Sequence, residues 1–454
     1  MRDMKDTIIR IGVASLLASN LMLGLTGCNT SAATSGDTQQ ATQAAATATV
    51  EEASATTTAQ ATTEATASLD GMRTDGAIST ADLFTERDLS QTADLAGATV
   101  INLVSGEDVQ ITSEGVYLIS GEATDVTITV NADDAAKVQL VLDGASITNQ
   151  DSPAIYVLSA DKVFVTTTEG SSNTLQVTGT FTADGDTNTD AVIFSKDDLV
   201  LNGLGTLAIS STDNGVTCKD DLKITGGTYV IDAAADGIEA NDSIRIADGT
   251  FTINSSKDAL HAENDEDDTV GYIYLCGGTF DITAADDGIQ ATTVLQIDNG
   301  TFNINAVEAL EATYVQVNGG AVNISASDDG INATTKSSSI GTPTIEVTGG
   351  DITIAMAQGD TDAIDANGNV IVTGGTINIT GQSAFDFDGT ATFTGGTITV
   401  NGEQISEITN SMMMGGGMMG GMGGQMEGGP MGGQGGGMGH MQGGPMGGGM
   451  GQMS

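Results

Sequence analysis

The chain has 454 residues, 62 of them Gly and none Trp, with a formal charge of −47. So acidic a surface argues against nucleic acid and anionic membrane as partners and favours divalent cations or cationic surfaces. Acidity also keeps a β-protein soluble and discourages end-to-end pairing, so charge alone does not decide between these roles.

The N-terminus reads as a secretion address. Arg2, Lys5 and Arg10 precede an apolar run from Ile11 to Leu25, and the run ends in Leu25-Thr26-Gly27-Cys28. This resembles a bacterial lipobox. Cleavage would remove residues 1–27 and leave Cys28 as the lipid-modified first residue, anchored to the outer face of the cytoplasmic membrane. Membrane contact is then expected only through Cys28, because the run is short for a spanning helix. Residues 28–83 follow as an Ala/Thr-rich linker. From Asn29 to Ala67 there is no Lys, no Arg and no apolar periodicity, which is the composition of a disordered stalk.

The segment Phe84-Thr85-Glu86-Arg87-Asp88-Leu89-Ser90-Gln91-Thr92 opens the expected folded domain, residues 84–410, as a cap on its open end. From Ala98 to Thr178 the pattern is β with irregular spacing. Val138 to Asn149, Ala154-Ile155-Tyr156-Val157 and Lys162-Val163-Phe164-Val165-Thr166 read as strands of the first coils.

From about Asp213 to Val400 one short pattern repeats: an Asp-Gly-Ile-x-Ala turn, a short strand, then Gly-Thr-aromatic-x-Ile. The glycine before the last strand falls at 205, 227, 249, 278, 300, 320, 350, 375 and 396. Most steps are of 20–25 residues; two are of 29 and 30. Alternation is of period two, with Phe251 and Ile253 inward and Thr250 and Thr252 outward, and no helix-length apolar face. Three short strands per turn predict an all-β solenoid, a right-handed parallel β-helix forming one elongated domain. Its coils would stack about 4.8 Å apart, so like positions form ladders.

Three ladders carry chemistry. The first, at the turn, runs Asp190, Asn214, Asp236, Asp258, Asp287, Glu308, Asp329, Asp362 and Ser383. The second, three residues on, runs Thr217, Glu239, His261, Gln290, Glu311, Asn332, Asp365 and Asp386. Stacked carboxylates repel unless water screens or a cation bridges them, and Ca²⁺ takes six to eight such oxygens. The expected metal ligands are Asp236, Glu239, Asp258, Asp287, Glu308, Glu311, Asp329, Asp362 and Asp365. The competing reading is that each Asp only satisfies backbone N–H groups of its own turn. The third ladder faces out four residues before the glycine: Leu201, Lys223, Arg245, Tyr274, Gln296, Gln316, Glu346, Ile371 and Thr392. Two cations, a ring and amides in Lys223, Arg245, Tyr274 and Gln296 suit a sugar chain bearing carboxylates.

The segment at Arg87, the strands from Leu140 to Thr166 and the two repeat motifs together resemble a bacterial family of surface carbohydrate-binding domains, over roughly residues 84–400. The resemblance implies a right-handed parallel β-helix shaped like pectate lyases, with calcium along one side. It implies binding, rather than cleavage, of cellulose and pectin-like acidic plant polysaccharides. The alternative is a calcium-dependent lyase, which needs a base; Arg245 is the Arg of the regular coils, on a different ladder from the acidic turns.

Cys218 and Cys276 do not share a ladder, so no bond between them is expected. Residues 411–454 hold 21 Gly and 13 Met and read as a disordered tail, with thioether capture of Cu(I) as a minor reading.

Overall fold

A computed structural model describes residues 78–410, except 265 and 360. The expectations for the signal peptide, Cys28, the stalk and the Gly/Met-rich tail lie outside the described residues.

Among the described residues the chain forms 36 strands and no helix. From Leu199 onwards each coil adds one strand to each of three walls. The first wall holds Leu199–Gly203, Asp221–Ile224, Ser243–Ile246, Tyr272–Leu275 and Val294–Ile297. The second holds Thr206–Ser211, Thr228–Ala233, Thr250–Ser255, Thr279–Ala284 and Thr301–Ala306. The third holds Asn214–Cys218, Ile238–Ala240, Leu260–Ala262, Asp287–Ala291 and Glu308–Ala312. Each strand pairs in parallel with its counterpart one coil away. The third wall is a sheet of twelve strands. The other two walls merge into one sheet because Gly115–Thr124 and Lys137–Asn149, in the first coils, run round the corner between them. This is the connectivity of a β-solenoid.

The sequence explains the second wall most simply. Inward and outward positions alternate strictly in Thr250–Ser255 and its neighbours. The inward aromatics stack: Tyr229 on Phe251 at 5.2 Å, Phe251 on Phe280 at 4.5 Å, and Phe280 on Phe302 at 4.6 Å between ring centres. Each such ring stabilises by about 2–3 kcal/mol through burial, with about 1 kcal/mol more from each stacked pair. The glycine two residues before the ring makes this possible. Gly300 has φ +129°, and a Cβ there would lie 2.8 Å from the Phe302 ring. A side chain at that position is therefore excluded by both backbone and space.

The third ladder is in register from Lys223 to Arg245, Tyr274 and Gln296. One coil departs from the spacing: Val200, not Leu201, lies beneath Lys223, and Leu201 faces inward with Ile224. Gly203, at φ +119°, turns the corner, and Leu204 is extruded to solvent.

The N-terminal segment does not cap the open end. Residues 78–92 run as a strap along the outer face of the first wall, so the folded part reaches back at least to Ile78. Ile78 and Leu83 bury against Tyr272, Tyr274, Cys276 and Val294. The Ile78 N–H donates to Gln296 Oε1 at 2.8 Å. Gln91 accepts from the Gly203 N–H at 3.0 Å and donates to the Thr225 carbonyl at 2.9 Å. Asp88 sits between Lys223 (3.4 Å) and Lys162 (3.7 Å). The physical reason is that this wall offers cations and rings that need cover, which the strap supplies as one carboxylate and two apolar anchors. At the far end Glu403–Ile405 folds back antiparallel on Thr397–Val400 and ends the parallel stacking.

The two long steps are insertions at one corner. Residues 263–271 and 334–343 clasp each other: Ser337 Oγ donates to the Asp268 carbonyl, and the Ser338 N–H donates to Asp268 Oδ2 at 2.9 Å. Cys218 is a buried free thiol, so it does not bond Cys276.

Candidate functional site

The first acidic ladder does two jobs with its two oxygens. In three of its carboxylates one oxygen accepts the backbone N–H of the counterpart on the next coil: Asp236 from Asp258 at 3.0 Å, Asp258 from Asp287 at 2.8 Å, and Asp329 from Asp362 at 3.2 Å. The Ser383 hydroxyl closes the row on Asp362. These three residues do bond backbone N–H groups, but the donor lies one coil away and not in the same turn. This leaves the second oxygen free to face the other ladder, whose register is Glu239, His261, Gln290, Glu311, Asn332 and Asp365.

These second oxygens converge in places. Asp287, Glu308 and Glu311 each bring one oxygen within 4.8 Å of the others; so do Asp258, Asp286 and Asp287; and so do Asp236, Asp258 and the His261 ring. Burial, then the neighbouring charges of Asp258 and Glu311, pushes the Asp287 carboxyl far up. Burial raises Glu308 as well, and lifts Asp258 to about 6 against the pull of His261. Further along, burial and then Asp365 lift Asp329 to about 7, while burial and then Asp386 lift Asp365 to about 6. A row of half-buried carboxylates that resist ionisation together is a place where added positive charge stabilises the fold.

Some of that charge is internal. Lys336, on the second insertion, reaches Glu311 Oε2 at 2.7 Å. The Gln290 amide, oriented to satisfy its neighbours, donates to Asp287 at 2.8 Å and Asp258 at 3.2 Å and accepts from Lys336 at 3.0 Å. Asn332 donates to Glu308 at 2.8 Å and Glu311 at 3.3 Å, while its own amide oxygen is buried with no hydrogen-bond partner. Glu239 stands apart: Asn214 (2.7 Å), Thr217 (3.0 Å) and Lys219 (3.2 Å) take up its oxygens, and it does not pair with Asp236. Lys336 was not legible as a site residue, because it sits in an insertion outside the repeat frame. The insertion's length was the available signal.

A third carboxylate cluster, Asp198, Asp220 and Asp221, lies where the third wall turns into the first. Asp221 there binds Arg245 at 2.7 Å, and Asp198 binds Lys162 at 3.1 Å.

The saccharide face read from the third ladder is covered. Lys223, Arg245, Tyr274 and Gln296 are in register but only 2–8% exposed. Lys223 is committed to Asp88, Arg245 to Asp221 and to the face of the Tyr272 ring, Tyr274 to Asp298 at 2.8 Å, and Gln296 to the strap. The residues point out of the coil as expected; the strap, 130 residues or more away in sequence, lies over them. At its start a cavity of about 430 Å³ remains, lined by Ile78 to Ala81, Gln296, Asp298, Gln316 and Asn318.

Three comparisons found proteins to which the chain is similar. The profile of a family described as "Carbohydrate-binding domain-containing protein" matches residues 105–363 and 308–405. A "Carbohydrate-binding domain-containing protein" of Acetivibrio thermocellus is 45% identical over 205 residues, covering 44% of this chain and 72% of the relative. A solved structure described as the polysaccharide lyase-like protein from C. thermocellum, in a gadolinium derivative, is 32% identical over 49% of this chain and 92% of its own, with a TM-score of 0.42.

Proposed function

We propose, on the premise that this chain belongs to the carbohydrate-binding domain family, that it binds an acidic, pectin-like polysaccharide without cleaving it, calcium bridging protein and sugar. The observation that carries this is the convergence of Asp287, Glu308 and Glu311 on two adjacent coils, one oxygen of each within 4.8 Å of the others. The donor set suits a hard cation: three carboxylates with the Asn332 amide beside them, whose oxygen has no hydrogen-bond partner. Calcium held there would reverse the local sign of the surface and attract uronate carboxylates. Lys336 adds positive charge to the same group from the protein's own side.

No Trp exists to offer a flat platform for crystalline cellulose, which makes cellulose the lesser partner. We read the polypeptide as a right-handed parallel β-helix. We also read it as carried to the cell surface by its basic-apolar N-terminus and the lipobox at Cys28. The lyase alternative is disfavoured by Arg245, which is buried, bonded to Asp221 and on another wall from the acidic cluster. A base must reach its proton.

The test is retention of the protein on a polygalacturonate affinity gel. Retardation in calcium, lost on chelation and in Glu308→Gln/Glu311→Gln, with no ultraviolet-absorbing unsaturated product, supports the reading. Equal retention with and without calcium, or release of that product, overturns it.

A further inference from the structure

We propose that Asp236, Asp258 and His261 form a site for a borderline divalent transition metal of the Zn²⁺ class, separate from any calcium bound one coil on. The three residues come from two adjacent coils of the third wall, at Ile238–Ala240 and Leu260–Ala262, where Glu239 and His261 are in register.

Four observations carry this. His261 Nδ1 is buried and has no hydrogen-bond partner. It points at Asp236 Oδ2, 3.7 Å away, and Asp258 Oδ2, 3.5 Å away. Those separations are too long for hydrogen bonds. They are close to the spacing of two ligands on one tetrahedral zinc, where bonds of about 2.1 Å set neighbouring ligand atoms about 3.4 Å apart. Finally, the other ring nitrogen lies 3.1 Å from Glu263 Oε2. A carboxylate on the far side of a ligating imidazole orients the ring and fixes which nitrogen carries the proton, leaving Nδ1 free to ligate.

The carboxylates are held in place independently of any ion. Asp236 Oδ1 accepts the Asp258 N–H at 3.0 Å, and Asp258 Oδ1 accepts the Asp287 N–H at 2.8 Å, so in each residue Oδ2 is the oxygen turned to the histidine. The Gln290 amide braces Asp258 Oδ2 at 3.2 Å. Lys257, the other cation near Asp236, is 3.9 Å away on an exposed side chain that can swing into solvent.

One ligand atom from each of Asp236, Asp258 and His261 lies within 4.8 Å of the other two, so a single ion can reach all three. The imidazole selects the kind of metal, because nitrogen ligands suit zinc, cobalt and their neighbours whereas calcium takes oxygen. Three protein ligands leave a fourth position for water or a sugar oxygen.

The test uses the full chain with Co²⁺ as a coloured probe and Zn²⁺ in calorimetry. The expected result is one equivalent with the visible absorption of tetrahedral cobalt, displaced by Zn²⁺ and not by excess Ca²⁺. His261→Gln should weaken Zn²⁺ binding roughly 100-fold, and Glu263→Gln roughly 10-fold, as loss of a ligand and of its outer partner do. His440→Ala, in the Met-rich tract, should leave the band intact. The proposal is overturned if cobalt gives no tetrahedral band, if His261→Gln binds zinc as well as the parent, or if calcium displaces cobalt at equal concentration. Glu308→Gln/Glu311→Gln separates the two readings: it abolishes calcium-dependent retention and spares the cobalt band.

Discussion

Asp258 accepts the backbone N–H of Asp287, one coil further on, at 2.8 Å, while its second oxygen faces His261 at 3.5 Å. One carboxylate therefore joins two coils and lines the candidate site, and substitution can separate the two roles. Asp258→Asn keeps an acceptor for the Asp287 N–H and should cost little stability, while cation binding is lost. Asp258→Ala leaves that buried N–H without a partner and should destabilise by about 1–3 kcal/mol. Urea denaturation of the two variants, followed by metal titration, distinguishes the effects.

The aromatic column is the second test. Phe280 is fully buried between Phe251 and Phe302, at 4.5 and 4.6 Å. Phe280→Ala should lower stability by about 3–5 kcal/mol, and Phe280→Leu by markedly less. The readout is the denaturant midpoint, with the far-ultraviolet spectrum as the check on fold.

Gly300→Ala tests the backbone rather than the core. At φ +129°, with a Cβ 2.8 Å from the Phe302 ring, even a methyl group must displace something. A loss of about 3 kcal/mol is expected, against about 1 kcal/mol for Gly144→Ser on the open surface, where a Cβ meets nothing within 4 Å and only the strain of φ +73° acts.

Acid should loosen the strap first. Burial alone would raise the Asp88 carboxyl, but the Thr85 N–H, Lys223 and Lys162 outweigh it and hold the pKa below its ordinary value. The folded pKa thus lies below the unfolded value of about 3.9, so the contribution is complete above that pH and is lost as pH falls through the folded pKa. Protection of the amides from Thr85 to Gln91, relative to their intrinsic exchange rates, should fall below about pH 4 in the parent. In Asp88→Asn that protection should already be low at neutral pH.

Calcium should stabilise the fold by mass action. At a hundredfold excess over its dissociation constant the gain is about 2.7 kcal/mol, removed by chelator. A melting temperature indifferent to calcium would count against a site on the acidic ladder.

What the primary structure determined by itself was everything that repeats. Period-two alternation and a recurrence near 21 residues force like positions into register. Hence the inward Phe column, the stacked Lys223, Arg245, Tyr274 and Gln296, and the acidic rows at Asp236 and Glu239 were all legible. What only the tertiary structure decided lies outside the period. The strap from Ile78 to Thr92 covers one ladder, and the insertion bearing Lys336 closes over another. In both, the partners are joined by charge and apolar cover across long stretches of chain, and no local pattern encodes such a meeting. Nor could spacing say which oxygen of Asp258 serves the backbone and which faces His261, because that depends on the pitch between coils rather than on the order of residues.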